Sequence, residues 1–155
     1  MLRLTFNIPP ISLNSAYKNL GNMGRAKTDK TKAWIQEFEA LCLMKNLKIK
    51  RFAKEFDPQK HYLTIDYNFF LPESELLTQK GSVKKMRFDR CNITKIPTDI
   101  ISKFLGIDDA IFLDGHVSKL ISPDKHWIVV DIKKGNLDEW RIVSNQIYDV
   151  IRPGG

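Results

Sequence analysis

Apolar and polar residues alternate most regularly at two places in the chain. Leu2, Leu4 and Phe6 share one face of residues 2–8, and residues 61–70 show the same two-residue period. A period of two is typical of a strand with one buried face, so both segments are predicted as strands. Two further strands fit the apolar runs at 111–121 and 126–133.

A helical period follows the first strand. Trp34, Phe38 and Cys42 recur at intervals of four residues within a segment from about 28 to 47. This spacing places them on one face of an amphipathic helix. Cys42 is therefore predicted to be a small buried apolar residue.

Two more helices are predicted toward the end of the chain. Residues 92–105 have helical spacing, with Pro97 predicting a kink or a late start and Gly106 predicting the end. The last helix is expected to begin at Asn136, because Glu139 follows at the spacing of a capping box. The apolar residues predicted to dock this helix on the core are Trp140, Val143, Ile147 and Val150.

The element order predicted from these patterns is β-α-β-α-β-β-α. It favours an α+β (mixed α/β) fold, with a sheet of about four strands and helices packed on it. Residues 9–27 and 71–88 are rich in polar residues or loop formers and are predicted as loops. At 155 residues the chain fits one domain spanning 1–155.

Composition excludes several classes of protein. Apolar residues make up 43% of the chain, which is enough for a core and argues against intrinsic disorder. No apolar run approaches the roughly 18 residues of a membrane span, so no membrane partner is expected. The N-terminus lacks the pattern of a signal peptide, and the two cysteines, Cys42 and Cys91, form no CxxC pair. A reducing cytoplasm is the expected location.

The net charge of +7 is unevenly distributed along the sequence. Residues 18–32, 45–60 and 80–95 carry +4, +4 and +5, so the rest of the chain carries −6. Basic segments beside a carboxylate-rich remainder are typical of an enzyme that grips phosphates near metal-binding groups. The alternative explanation for this charge distribution is that the basic segments form a lysine-rich surface with no binding partner.

Candidate chemistry lies between residues 87 and 114. Asp89 and Asn92 stand at the start of the predicted helix, Lys95 follows one turn later, and Asp108-Asp109 comes just after its end. A helix of about 14 residues is roughly 20 Å long. Either the fold or a dimer partner must therefore bring the two acidic groups together. The structural alternative is a helix cap at Asp89, a turn at Asp108-Asp109 and a solvated lysine.

Carboxylates with a nearby lysine suit phosphodiester hydrolysis. Mg²⁺ or Mn²⁺ bound by hard oxygen ligands neutralises the phosphate and activates water. A lysine beside them can stabilise the negative charge that develops during the reaction. The pattern thus indicates a metal-dependent nuclease as one function.

These residues resemble the RusA family of Holliday junction resolvases. The family pattern is Asp-x-Asp-Asn, a lysine three residues later, a helix, and then Asp-Asp before a strand. The chain has Asp89-Arg-Cys91-Asn92, Lys95 and Asp108-Asp109. Its beginning is also similar, with Pro9-Pro10, Asn14, Tyr17 and a basic loop carrying Arg25 and Lys27 before a helix. The similarity extends to about residue 133, so the helix over 136–151 is interpreted as an addition.

The resemblance implies roles for individual residues. Asp89 and Asp109 are expected to be catalytic carboxylates that hold Mg²⁺ or Mn²⁺, with Asp108 as a further metal ligand, and Lys95 the catalytic lysine. It also implies a homodimer cutting two symmetric strands of a four-way junction, which matches a two-fold symmetric substrate. A phage or prophage recombination role in a bacterial cytoplasm follows from the same likeness. The residues expected to contact DNA are Arg25, Lys27, Lys84, Lys85, Arg87, Arg90 and Asn92.

Cys91 stands where the family pattern has its second aspartate. A thiol is a soft ligand, poor for Mg²⁺ and neutral near pH 7 unless its pKa is lowered. Three explanations remain open: another carboxylate (Asp108, Asp114 or Asp66) completes the site, the metal preference has shifted, or the protein binds DNA without cutting it. Asp114 is otherwise expected to cap the turn at Gly115. The predicted function is therefore a junction-resolving endodeoxyribonuclease, with a catalytically impaired DNA-binding protein as the alternative.

Overall fold

The structure is a computed structural model that describes residues 1–19, 21–84 and 90–151. The side chains of Met23, Arg90, Cys91 and Ile151 lie outside this description. The strands are β1 (Leu2–Phe6), β2 (Tyr17–Asn19), β3 (Arg25–Lys27), β4 (His61–Pro72), β5 (Phe112–Asp114), β6 (Val117–Ser122) and β7 (Trp127–Asn136). The α-helices are α1 (Leu13–Ala16), α2 (Asp29–Met44), α3 (Asn46–Lys54), α4 (Glu73–Leu76), α5 (Arg90–Leu105) and α6 (Leu137–Ile151).

The main sheet confirms the predicted α+β class. Its order is β1-β7-β4-β5, with β6 also pairing with β4 beyond β5. β7 lies antiparallel between β1 and β4, whereas β5 and β6 run parallel to β4. The sheet therefore has five strands within the described residues, one more than the estimate from sequence.

The extra strand arises at Gly115, which divides the segment predicted as one strand. A Cβ at this position would come within 2.1 Å of the Ile65 carbonyl oxygen. The neighbouring Asp114 carboxylate accepts a hydrogen bond from the Gly115 N–H at 2.7 Å, which confirms its predicted capping role. Gly115 thus lets the chain pass close to the backbone of β4 between the two strands, and the register with β4 shifts just before it, between Phe112 and Asp114.

Short elements lie in both segments predicted as loops. β2 and β3 form an antiparallel hairpin in which Tyr17 opposes Lys27, and α1 precedes it. The turn region contains Gly21 and Gly24, both with positive φ, where a residue with a Cβ is disfavoured. In the second segment, α4 forms a single helical turn directly after β4.

The first long helix ends earlier than predicted. α2 stops at Met44, and α3 follows after Lys45. The Thr28 hydroxyl caps α2 by accepting a hydrogen bond from the Thr31 N–H. The periodicity predicts a single helix to about residue 47, whereas the structure divides the segment into two helices at Lys45.

The hydrophobic core lies between one face of the sheet and the helices. It contains the predicted inward face of β1 and the predicted stripe of α2. Trp34 stacks on Phe38 with ring centroids 4.8 Å apart, and its indole N–H donates to the Pro9 carbonyl oxygen. Cys42 is fully buried, which raises its thiol pKa to about 12 and confirms that it is a core residue.

α5 packs against this core and carries the predicted functional segment. The helix begins at Arg90 and continues through Pro97, so the alternative of a late start is wrong. Ile93, Ile100 and Ile101 are buried along its inner side. Because proline has no N–H, the helix forgoes one internal hydrogen bond at that turn.

α6 begins as predicted but does not dock as predicted. The Asn136 side-chain oxygen accepts hydrogen bonds from the N–H groups of Asp138 and Glu139 at 2.8 and 3.2 Å. The four residues expected to join the core are exposed, although the Trp140 ring lies 6.2 Å from the ring of Tyr62 on β4. None of the helices in the described ranges is long and apolar enough to cross a membrane.

Candidate functional site

Lys95 and Asp109 meet on the surface of α5. The Lys95 ammonium lies 2.8 Å from the Asp109 carboxylate and donates a hydrogen bond to it. Both side chains are about half exposed, so solvent or a ligand can reach them. Two of the residues predicted to be catalytic are therefore neighbours within one chain.

A reversal of the chain after α5 makes this contact. Gly106 adopts φ 69°, a left-handed conformation that glycine adopts without steric cost. The Ile107 N–H then bonds the Ser102 carbonyl oxygen, and a short 3₁₀ turn spans Asp109–Ile111. The chain runs back beside the helix, which removes the need for a dimer partner to bring Asp109 to Lys95.

Asp99 belongs to the same cluster and was missed by sequence reasoning. Its carboxylate lies 2.7 Å from the Lys95 ammonium, one helical turn further along α5. The spacing of four residues between a lysine and an aspartate was a usable signal, because such residues face the same side of a helix. Lys95 thus lies between Asp99 and Asp109.

The cluster fixes the charge states of its members. The hydrogen bond from Lys95, together with its positive charge, lowers the pKa of Asp109. Hydrogen bonds to Asp109 and Asp99 raise the pKa of Lys95 well above its usual range. Lys95 therefore stays protonated at neutral pH and can stabilise an anion, but it is unsuited to act as a general base.

A cleft of about 620 Å³ opens beside Lys95 and Asp99. The β2–β3 hairpin forms its other wall and contributes Arg25 and the partly exposed ring of Tyr17. Cations, amide groups and an aromatic ring around one cleft can bind a phosphate and stack on a base. Its lining residues are Leu13, Asn14, Tyr17, Asn19, Arg25, Lys95, Ile96 and Asp99.

A smaller neighbouring cleft of about 180 Å³ places Lys27 near the same cluster. It is also lined by Tyr17 and Asp99, so the two clefts share a wall. The hairpin thus brings both of its predicted DNA-binding residues, Arg25 and Lys27, to the side of α5 that carries Lys95. Sequence reasoning predicted these cations, but not the strands that position them.

Asp108 has a structural role in the described fold. Its carboxylate accepts a hydrogen bond from the Ala110 N–H at 2.9 Å and caps the 3₁₀ turn. Asp108 therefore stabilises a turn, as the structural alternative to a metal site predicts. The adjacent Asp109 instead points to Lys95.

Asp66 lies on the opposite face of the sheet from Lys95. Its neighbour Tyr67 is buried and bonds Thr98 of α5, and successive strand residues point to opposite faces. The Asp66 carboxylate contacts Lys133 at 2.8 Å and His116 at 3.3 Å. Burial raises its pKa, but the bonds from Lys133 and His116 outweigh burial and lower it. Asp66 therefore cannot complete a metal site at Lys95.

Several predicted residues lie outside the described residues. Asp89, Lys85 and Arg87 fall there, as do the side chains of Arg90 and Cys91. Asn92 is half-buried in the first turn of α5. Lys84 donates to the Ser74 carbonyl oxygen and lines a separate cleft of about 1040 Å³ between Pro72 and Pro123, so it is not brought to the Lys95 cluster.

The described donors fit a divalent metal only in part. Asp99 and Asp109 supply hard carboxylate oxygens, and Mg²⁺ is often bound by one or two carboxylates with water and phosphate oxygens. Each of these carboxylates is already bonded to Lys95. No group of three or more His, Cys, Asp or Glu residues within the described ranges could hold a metal. A complete site would need Asp89 or ligands from the substrate.

Comparison with known proteins assigns neither a family nor a function to the chain. The chain matches no protein-family model, and the search against curated proteins gives no significant match. The resemblance to RusA-type resolvases remains a prediction from the motif residues.

Proposed function

We propose that this protein is a structure-selective endodeoxyribonuclease that acts on four-way DNA junctions with Mg²⁺ or Mn²⁺. The observation that carries the proposal is the Lys95 cluster beside a cleft lined by Arg25 and Tyr17. The motif residues of the resolvase pattern, Lys95 and Asp109, are 14 positions apart in sequence and in hydrogen-bond contact in the fold. That contact is what a shared active site requires.

The described residues support distinct parts of the reaction. Arg25 and Lys27 lie on an exposed hairpin, where their contacts with phosphates would be independent of sequence and sensitive to salt. The exposed ring of Tyr17 offers a stacking surface for an unpaired base at a branch point. Lys95 is a permanent cation within reach of a phosphate in the cleft and would stabilise developing negative charge.

Asp109 and Asp99, with Asp89, would hold the divalent metal. When bound, such an ion neutralises phosphate charge and makes a coordinated water more acidic. Binding would draw on the carboxylate oxygens that do not accept hydrogen bonds from Lys95. Asp89 precedes Asn92 by three residues in the same motif.

A homodimer is part of the proposal. Two identical active sites related by a two-fold axis match a junction in which two symmetric strands are cut. A role in phage or prophage recombination, in the cytoplasm of a bacterium, is proposed on the same resemblance.

A DNA-binding protein without nuclease activity is the second candidate, and Cys91 favours it. The family pattern has a carboxylate at that position, and a thiol binds Mg²⁺ poorly. Of the carboxylates considered as substitutes, Asp66 is bonded to Lys133, and Asp108 and Asp114 each accept a hydrogen bond from a nearby backbone N–H. The cations of the hairpin would still bind DNA in such a protein.

Junction cleavage separates the two candidates. A labelled four-way junction is incubated with the protein and Mg²⁺ or Mn²⁺, beside Asp89→Asn and Cys91→Asp variants. Symmetric nicks that disappear in Asp89→Asn support the nuclease. Binding without nicks, with cleavage appearing only in Cys91→Asp, supports the DNA-binding protein and contradicts a native nuclease.

Two controls make this test specific. Lys32→Met serves as a charge-matched control, because Lys32 pairs with Asp29 on the exposed side of α2, away from the clefts. Lys95→Met is expected to lower cleavage about 100-fold or more, whereas Lys32→Met leaves it within about three-fold. Equal affinity for the junction and a linear duplex would contradict structure selectivity.

A further inference from the structure

One of the basic segments, residues 45–60, contributes no side chain to the two clefts at the Lys95 cluster. Its cations are concentrated on α3 and the turn before it, because residues 43–54 include five basic and no acidic side chains. The β2–β3 hairpin precedes the start of α2, whereas α3 follows its end, and α2 is about 24 Å long. This basic segment therefore lies at the other end of α2 from the clefts.

The outward side of α3 combines an apolar side chain with cations. Leu47 is 90% exposed, and three exposed cations follow it at intervals of three, four and seven residues, which places all four on one side of the helix. These cations are Lys50, Arg51 and Lys54. Ile49 and Phe52 lie on the opposite side of α3 and are buried in the core.

Two more exposed apolar side chains precede Leu47. Leu43 and Met44 end α2 and are 64% and 81% exposed. Only Lys45 separates the two helices, so the three apolar residues lie within five positions of the chain. Exposed apolar residues rimmed by polar ones mark interaction sites. The α3 patch is defined here as Leu43, Met44, Leu47, Lys50, Arg51 and Lys54.

The carboxylates closest in sequence to the α3 patch are paired with other cations. Glu39, one turn before the patch, pairs with Lys103 at 3.1 Å. Glu55, directly after α3, pairs with Lys134 at 2.8 Å. Within the described ranges, none of the salt bridges involves the three cations of the patch. Exposed cations without a counterion in the fold attract an anionic partner.

We propose that the α3 patch binds an acidic segment of another protein, in which bulky apolar side chains stand among carboxylates. Such a segment pairs with the cations and covers the apolar side chains, so it complements both parts of the patch. The backbone of a DNA duplex offers phosphates but no apolar surface for Leu47 and its neighbours. A membrane fits less well, because the apolar face of α3 is already buried in the core. The proposal goes beyond the nuclease function and does not depend on it.

Fluorescence anisotropy with a short labelled peptide tests the proposal on the full chain. The peptide alternates pairs of aspartates with single leucines, and a control peptide has serine in place of leucine. We expect micromolar affinity for the leucine peptide at low salt and at least about ten-fold weaker binding of the serine peptide. Added salt should weaken binding of both. Absence of binding, or equal binding of the two peptides, would overturn the proposal.

Two variants of the patch have matched controls elsewhere on the surface. Leu47→Ser should weaken binding of the leucine peptide about ten-fold, whereas Val83→Ser, at a position 78% exposed beyond α4, should change it less than about two-fold. Arg51→Gln should weaken it about three-fold, whereas Lys125→Gln, in the exposed turn between β6 and β7, should leave it unchanged. Thermal melts should be unaffected, because all four side chains are exposed. Equal effects of patch and control variants would contradict the proposal.

Two further measurements examine the other occupants of the α3 patch. Co-sedimentation with phosphatidylglycerol vesicles that is lost in Leu47→Ser would assign the patch to a membrane. A linear DNA duplex that displaces the peptide, and binds the wild type and Leu47→Ser equally, would assign it to DNA. Either result would overturn the proposal. Leu47→Ser should cleave a four-way junction within about three-fold of the wild-type rate, so failure here is distinguishable from failure of the nuclease function.

Discussion

α5 and α6 are helices of similar length with apolar stripes of similar quality, yet they differ in what covers them. The stripe of α5 is buried against the sheet and α2, and its opposite side presents Lys95 and Asp99 to a cleft. The stripe of α6 faces solvent beyond its first turn. Helical periodicity therefore predicts which face is apolar, but not whether the same chain supplies the surface that covers it.

The largest expected effect is on folding stability. Ile101 is fully buried on α5, so Ile101→Ala should lower the free energy of unfolding by about 3 kcal/mol. Ile147→Ala on α6 should change it by less than about 0.5 kcal/mol for the monomer. Urea unfolding of both variants at low protein concentration measures the difference. An equal decrease in the free energy of unfolding for both variants would mean that α6 is packed in the monomer. It would contradict the difference between α5 and α6.

A buried hydrogen bond attaches α5 to the sheet. The Tyr67 hydroxyl lies 2.8 Å from the Thr98 hydroxyl, and Tyr67 is fully buried. Tyr67→Phe should destabilise the protein by about 1 kcal/mol, because the Thr98 hydroxyl loses this partner. Chemical denaturation verifies this value. The double variant Tyr67→Phe with Thr98→Val should recover part of the loss, and an additive loss would contradict the pairing.

The N-terminal cap of α6 should stabilise this helix without affecting the stability of the rest of the fold. Asn136 accepts hydrogen bonds from two N–H groups of the first turn. Asn136→Ala should destabilise α6 by about 1 kcal/mol. Hydrogen exchange should accelerate in residues 138–150 while the amides of α5 keep their protection. Acceleration in both helices would mean that they unfold together.

The smallest expected effect is a shift in the pKa of Asp109. Because Lys95 lowers the pKa of Asp109, the ion pair contributes stability above the unfolded pKa of aspartate, about 3.9. That contribution is lost as the pH falls through the lower pKa of the folded state. NMR titration of the Asp109 carboxyl carbon should show this, and Lys95→Met should return its pKa toward the ordinary value. An unchanged pKa would contradict the contact.

The sequence predicted those parts of the fold that depend on local pattern. The alternation of β1, the stripe of α2, the burial of Cys42 and the cap at Asn136 all follow from spacing within a few residues. The β2–β3 hairpin has strands of only three residues, too short for a period to show. It was therefore missed, although it positions Arg25 beside the cleft.

The candidate site was predicted in its residues but not in its geometry. The motif pattern selected Lys95 and Asp109, and their contact depends on the left-handed turn at Gly106 and the return of the chain beside α5. Asp99 was overlooked because it has no place in the motif, although it lies one turn from Lys95. Long-range contacts of this kind are set by tertiary packing and leave little local trace in sequence.

The measurement that tests the central claim most directly compares two aspartates. Asp109 and Asp66 each accept a hydrogen bond from a lysine at 2.8 Å, on opposite faces of the sheet. Cleavage of a four-way junction in Mg²⁺ or Mn²⁺ is measured for the wild type, Asp109→Asn and Asp66→Asn. We predict that Asp109→Asn lowers the nicking rate at least about 100-fold and that Asp66→Asn keeps it within a few-fold of wild type. Equal loss in both variants, or no nicking by the wild type, would contradict the claim that the Lys95 cluster is a nuclease active site.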